Sequence, residues 1–159
     1  MATNNGRLWL VAIGFGVMTL RPAIAADPII GKWKLDVGSS KFVVAAPREQ
    51  TEVYRETDSG EIEMRLTRVQ GQGKSTTTTL MWPSSGGAVH DTDGHLPKEQ
   101  TLVATSVRPG EWFVTYMRNG KQYLVMHKLI SKDGKTMRRT IKGLDAHGNA
   151  EEIELLRRQ

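Results

Sequence analysis

The sequence predicts an all-β fold, an antiparallel up-and-down meander of about eight to ten strands closing into a barrel. Three observations carry this. In Gly31-Lys32-Trp33-Lys34-Leu35-Asp36 the Gly, Trp and Leu share one face of an extended segment and the charged residues share the other, the period-two pattern of a sheet with one wet face. From Gln50 onward, short segments of strand-forming residues alternate with turn signals such as Asp58-Ser59-Gly60 and Asn119-Gly120. Nowhere after residue 26 does an amphipathic helical pattern appear. A meander leaves two edges with unpaired backbone groups, and closing it into a barrel removes both.

Residues 1–26 read as a segment to be set aside. A polar start with one cation at Arg7 precedes an apolar run, 8–20, and Arg21-Pro22-Ala23-Ile24-Ala25-Ala26 offers small residues to a peptidase. This is the pattern of a secretory signal peptide, with cleavage after Ala25 or Ala26 and a secreted or periplasmic destination. The apolar run falls short of the roughly twenty residues that span a bilayer as a helix. Taking 26 of the 159 residues away leaves a single domain, 27–159. Arg7 and Arg21 leave with them, so 20 of the 22 cations face 17 acids. Lys and Arg are interleaved with acids, which excludes the basic stripe that nucleic-acid binding needs. With no Cys, neither a disulfide nor thiol chemistry is available, and burial with ladder hydrogen bonds must hold the fold.

In the mature chain, Asp27-Pro28-Ile29-Ile30 makes a short capped turn that plugs one end of the core. The first strand follows, then a bend through 37–42 with Phe42 as a local anchor. Residues 51–57, 61–70 and 75–82 are strands, the last built on four Thr residues. Residues 83–98 read as a long loop. Strands 100–108, 111–118, 121–130, 135–144 and 151–158 complete the set, joined by Pro109-Gly110, Asn119-Gly120, Ser131-Lys132-Asp133-Gly134 and Asp145-Ala146-His147-Gly148-Asn149. Asn119-Gly120 is the sharpest of these signals, because a tight hairpin wants positive φ at both positions.

The Gly31-Lys32-Trp33 opening, the meander and the closing strand resemble the lipocalin and fatty-acid-binding (calycin-like) superfamily. More closely, residues 27–36 with Ser40-Lys41-Phe42, Val53-Tyr54, Ser131-Lys132-Asp133-Gly134-Lys135-Thr136 and Lys142-Gly143 resemble secreted bacterial lipocalin-like proteins of uncharacterised function. The resemblance covers the mature chain and implies a barrel without transferring a ligand. The chain departs from lipocalins in three ways: 114–117 lacks their Thr-Asp-Tyr motif, the chain ends on a strand rather than a helix, and Cys is absent. The resemblance also implies an Arg packed over Trp33, for which Arg139 and Arg157 are the candidates.

The function expected is binding of a small apolar or amphipathic molecule inside the barrel by a monomer or small oligomer. Its inward set is Trp33, Leu35, Ile62, Met64, Leu66, Tyr123, Val125, His127, Met137 and Ile141, with Arg139 and Arg157 entering the interior because adjacent Arg residues on a strand point to opposite faces. An interior cation needs a carboxylate, either from the protein or from the ligand. An alternative is a barrel enzyme or haem protein using His127; another is an envelope structural or interaction module using the outer sheet face or loop 83–98. His90, Asp91, Asp93 and His95 could offer ligands to a divalent metal, although their spacing matches no closed zinc or calcium pattern. The sequence specifies no cofactor. Ser84-Ser85-Gly86-Gly87 is no nucleophile elbow, and no phosphate loop is present. Glu61, Glu63, Glu151, Glu152 and Glu154 are expected on the wet face of the sheet, and His147 in a solvated turn.

Overall fold

The computed structural model describes residues 26–143 and 150–159. The segment up to residue 25, expected to be a signal peptide, and the turn that carries His147 lie outside the described residues. Ten strands form one closed antiparallel barrel: β1 (Gly31–Leu35), β2 (Glu49–Glu56), β3 (Glu61–Val69), β4 (Ser75–Pro83), β5 (Gly87–Asp91), β6 (Gln100–Arg108), β7 (Glu111–Arg118), β8 (Lys121–Ile130), β9 (Thr136–Lys142) and β10 (Glu151–Arg158). Each strand pairs with its sequence neighbours, and β1 closes the ring by pairing with both β2 and β10. The seam matches Trp33 with Arg158, Lys34 with Arg157 and Leu35 with Leu156.

One strand was not expected. Part of the segment 83–98, read as loop, forms β5, which pairs with β4 through Leu80↔Asp91 and Met81↔His90 and with β6 through Gly87↔Ala104 to Val89↔Leu102. Gly87 and Ala88 have little intrinsic strand preference, so the strand is made by its neighbours rather than by its own residues. Gly86 (φ 92°) lies so close to the β6 backbone that a Cβ would sit 3.0 Å from the Ala104 carbonyl oxygen. Asn119 and Gly120 both take positive φ, 50° and 74°, as the hairpin signal predicts.

The interior is filled by alternate residues of every strand, with Trp33, Tyr54, Ile62, Leu102, Trp112, Met137 and Leu156 nearly or wholly inaccessible. Each such side chain contributes about 1.5–3 kcal/mol by burial. One end of the barrel is plugged by residues 27–30. Ile29 is buried there, its carbonyl accepts the Trp33 indole N–H at 2.8 Å, and the Asp27 carboxylate accepts from the Ile29 N–H (2.8 Å), the Gly110 N–H (3.2 Å) and Trp112 Nε1 (3.2 Å). The N-terminal turn therefore ties the first strand to the β6–β7 hairpin.

The cation over Trp33 is Arg158, not Arg139 or Arg157. Its Cζ lies 4.3 Å from the indole centroid, and the guanidinium donates to the carbonyls of Ile30 (2.7 Å), Gly134 (2.6 Å) and Pro28 (2.5 Å). This explains the Gly two residues before the Trp, since a Cβ on Gly31 (φ 137°) would collide with the Arg158 guanidinium. Arg157 points outward instead and donates to Asp36 Oδ2 at 2.8 Å. The two arginines were expected on opposite faces, but the phase of β10 was not legible.

Candidate functional site

Away from the plug, the barrel encloses a cavity of about 250 Å³. Met64, Leu66, Leu80, Leu102, Val114 and Met126 form its apolar wall, Trp82 and Tyr116 add aromatic surface, and Leu96 reaches in from the segment after β5. Lys128 and Arg139 line its polar side, and Arg68 stands on the same inward face of β3 as Met64 and Leu66. Two larger depressions, of about 380 and 620 Å³, lie outside the barrel among loops of the plugged end, and neither gathers the interior charges.

The polar side is a buried network drawn from five strands. Arg139 of β9 forms ion pairs with both Glu52 of β2 and Glu154 of β10, and all three are at most 4 % exposed. Glu52 accepts further from Gln50 Nε2 (2.9 Å) and Tyr54 Oη (2.5 Å). Tyr54 Oη in turn accepts from Lys128 Nζ at 2.8 Å, and Gln50 Oε1 accepts from Arg68 Nε at 2.7 Å. Charges in such a place persist only when paired and hydrogen-bonded, which is what the network supplies. Among the described residues two buried donors stay without a partner, Trp82 Nε1 and Arg139 Nε, and both residues line the cavity.

Burial acts on Glu52, Tyr54, Tyr116, Lys128, Arg139 and Glu154, and its balance against the neighbouring charges sets each direction. Burial would raise Glu52, but the charges of Arg139 and Lys128 and the hydrogen bonds from Tyr54 and Gln50 hold it below the usual carboxylate value. For Glu154 burial outweighs the attraction of Arg139, and its pKa is raised. Burial lowers Lys128 to about 8 against the pull of Glu52, with Arg139 adding to the fall. Arg139 moves up despite burial, because two carboxylates face it. Tyr116 is pushed up to about 12 and Tyr54 well above its ordinary value, both chiefly by burial.

The sequence-derived set divides as follows. Met64, Leu66 and Arg139 line the cavity; Trp33, Leu35, Ile62, Met137 and Ile141 are buried in the barrel around it. Tyr123 packs edge-on against Tyr116 and its hydroxyl accepts from Gln100 Nε2 at 2.6 Å, placing it against the interior near the far end of β7. Val125 and His127 correct the expectation, for both face outward. His127 stacks on Phe113 with ring centroids 4.4 Å apart and bonds Glu111 through Nε2 at 3.0 Å, while Val125 shares its outer groove with Thr140 and Lys142. The cause is a β-bulge: Tyr116 pairs with Leu124 and Met117 with Gln122, so Tyr123 is the extra residue and the inward phase passes to Leu124, Met126 and Lys128. Among the described residues no imidazole enters the barrel, so the haem or enzyme alternative loses the residue on which it rested.

His90 and His95 are exposed, and the carboxylates beside them serve the backbone: Asp91 accepts from the N–H groups of Asp93 (3.1 Å) and Leu96 (2.5 Å), Asp93 from that of Thr79 (2.7 Å). Among the described residues no three His, Asp or Glu side chains gather to hold a metal. Glu152 and Glu154 are buried rather than on the wet face, Glu152 accepting from the Val43 N–H at 3.0 Å. Sequence reasoning missed Gln50, Glu52, Tyr54, Lys128 and Glu154. The available signal was Arg139, which once placed inside required carboxylates somewhere on the same face.

No family model matches the chain, and no curated protein matches it. Solved structures do share its fold. The fluorescent protein UnaG, wild type, superposes with a TM-score of 0.59 at 14 % identity, covering 82 % of this chain and 96 % of that one. A single-substitution mutant of UnaG gives 0.58 at 12 % identity over 83 % and 96 %. At this level of identity the likeness is one of fold: a closed, antiparallel, up-and-down β-barrel like that of UnaG.

Proposed function

We propose that the barrel binds a small amphipathic molecule in its interior, and that it does so as a secreted or periplasmic protein after residues 1–26 are removed. The apolar part of the ligand packs on Met64, Leu66, Leu80, Leu102, Val114 and Met126. Its polar end accepts hydrogen bonds from the side that holds Trp82, Lys128 and Arg139. The observation that carries this is a largely apolar cavity of about 250 Å³ whose lining includes Trp82 and Arg139, each of which carries a buried N–H donor without a partner among the described residues. Each unsatisfied donor costs about 1–3 kcal/mol, and a ligand oxygen that accepts from one recovers that cost. The volume is just below the roughly 300 Å³ at which ligand pockets usually begin, so the ligand is small. Arg139 is paired with both Glu52 and Glu154, so for this cation the protein itself supplies the counter-charge for which a ligand carboxylate was the other candidate. A neutral carbonyl or hydroxyl is the polar group this arrangement favours.

Titration with cinnamyl alcohol, a small neutral aryl alcohol, followed by tryptophan fluorescence tests the reading. Saturable quenching is expected in the wild type and its loss in Val114→Trp, which fills the cavity, with the circular dichroism of both proteins alike. Equal quenching in the two proteins would place binding outside the barrel and refute the reading. Export is checked on its own by the mass of protein recovered from the envelope, which should correspond to a chain beginning at Ala26 or Asp27.

A further inference from the structure

Lys128 differs from Arg139 in how it is held. Arg139 is clamped between two carboxylates, whereas among the described residues Lys128 Nζ has one hydrogen-bond partner, the Tyr54 hydroxyl, and no carboxylate within ion-pair distance. Around the amine lie the faces of Tyr54 (5.0 Å to the centroid) and Trp82 (5.8 Å), and the side chain is 3 % exposed while bordering the cavity. A primary amine removed from solvent and set against aromatic faces beside an apolar cavity is a setting in which a lysine acts as a nucleophile toward carbonyl compounds.

We propose that Lys128 is a covalent capture site for a small apolar aldehyde, which it holds as an imine inside the barrel. This rests on the binding reading above and deepens it by naming the ligand class. The neutral amine attacks the aldehyde carbon, forming the C–N bond while the carbonyl oxygen takes up a proton to give a carbinolamine. Loss of that hydroxyl as water, with departure of the remaining N–H proton, forms C=N. One aldehyde and one amine yield one imine and one water, with no change of oxidation state. Tyr54 Oη stands between Lys128 Nζ (2.8 Å) and Glu52 Oε2 (2.5 Å), a route by which the required proton travels to and from the amine. The charged and titratable groups facing the amine are Glu52 and Tyr54 from β2, Arg139 from β9 and Glu154 from β10. Glu52 and Glu154 favour its proton and Arg139 opposes it, while burial lowers Lys128 to about 8 from 10.5. At neutral pH the reactive neutral fraction is then roughly three-hundredfold above that of an ordinary lysine.

The full chain is incubated with cinnamaldehyde between pH 6 and 9, reduced with cyanoborohydride, and mapped by peptide mass spectrometry. Lys128 is expected to be labelled roughly three-hundredfold faster than the surface lysines at neutral pH, with a rate that rises through pH 8. Lys128→Arg, which keeps the cation, is expected to show no interior adduct. Label spread over surface lysines with Lys128 no faster overturns the proposal. If cinnamyl alcohol binds in the cavity while Lys128 stays unmodified, covalent capture fails and the binding reading stands. If neither compound enters, both fail.

Discussion

Burying Glu52, Tyr54, Lys128, Arg139 and Glu154 together departs from the rule that charged side chains stay in water. Such networks are weak evidence of stability, because desolvation consumes most of the attraction, and they are costly to break once formed. Lys128 makes the cost visible in pH. In the unfolded chain it titrates near 10.5 and in the fold near 8, so between those values the unfolded state holds a proton that the fold has lost, and stability rises with pH. Tyr54 and Tyr116 act oppositely above pH 10, where the unfolded chain gives up protons that their raised values keep in the fold. Denaturant titrations from pH 7 to 11 should therefore show a maximum near pH 10, with a rise of at most about 3 kcal/mol on the way up. Lys128→Met should abolish the rise and leave the fall, and a wild-type curve flat from pH 8 to 10 would contradict the placement of Lys128.

For single strands, legibility depended on whether the residues distinguish the two faces. In β1 they do, with Lys on one face and Trp and Leu on the other, and the strand lies as expected. In β8 they do not. Tyr123, Leu124, Val125 and Met126 are all apolar, so alternation carries no phase there and the bulge at Tyr123 is invisible until β7 is paired. β2 inverts the usual polarity, burying Glu52 while Val53 is 39 % exposed, because the partners of Glu52 arrive from strands far along the chain. The β1 geometry yields a prediction of its own. Gly31→Ala forces a Cβ against the Arg158 guanidinium at a φ that side chains rarely adopt, and should cost about 1–3 kcal/mol. A double-mutant cycle with Arg158→Met, read by urea denaturation, should recover part of that loss; additive effects would show that Arg158 is not the obstacle.

Across the molecule, closure is what turns ten short strands into a container. The β1–β10 seam is short, three register pairs, yet it removes both edges of the sheet and brings Arg158 over Trp33. Deleting residues 156–159 removes the β10 side of all three pairs. The truncated protein should exchange the amide hydrogens of β1 rapidly and associate through the freed edges in size-exclusion chromatography. A truncated chain that remains monodisperse with protected β1 amides would mean that the plug at Asp27 holds the barrel shut without the seam.

Local chemistry written along the chain determined the all-β class, the turn at Asn119-Gly120, the inward Trp33 and the absence of covalent cross-links, because each depends on neighbouring residues or on composition. The tertiary structure alone decided which Arg covers the indole, that β5 exists, that His127 looks outward, and that Arg139 lies between Glu52 and Glu154. Those outcomes depend on strand pairing, where one inserted residue exchanges inside for outside and where carboxylates distant in sequence become the nearest neighbours of a buried cation.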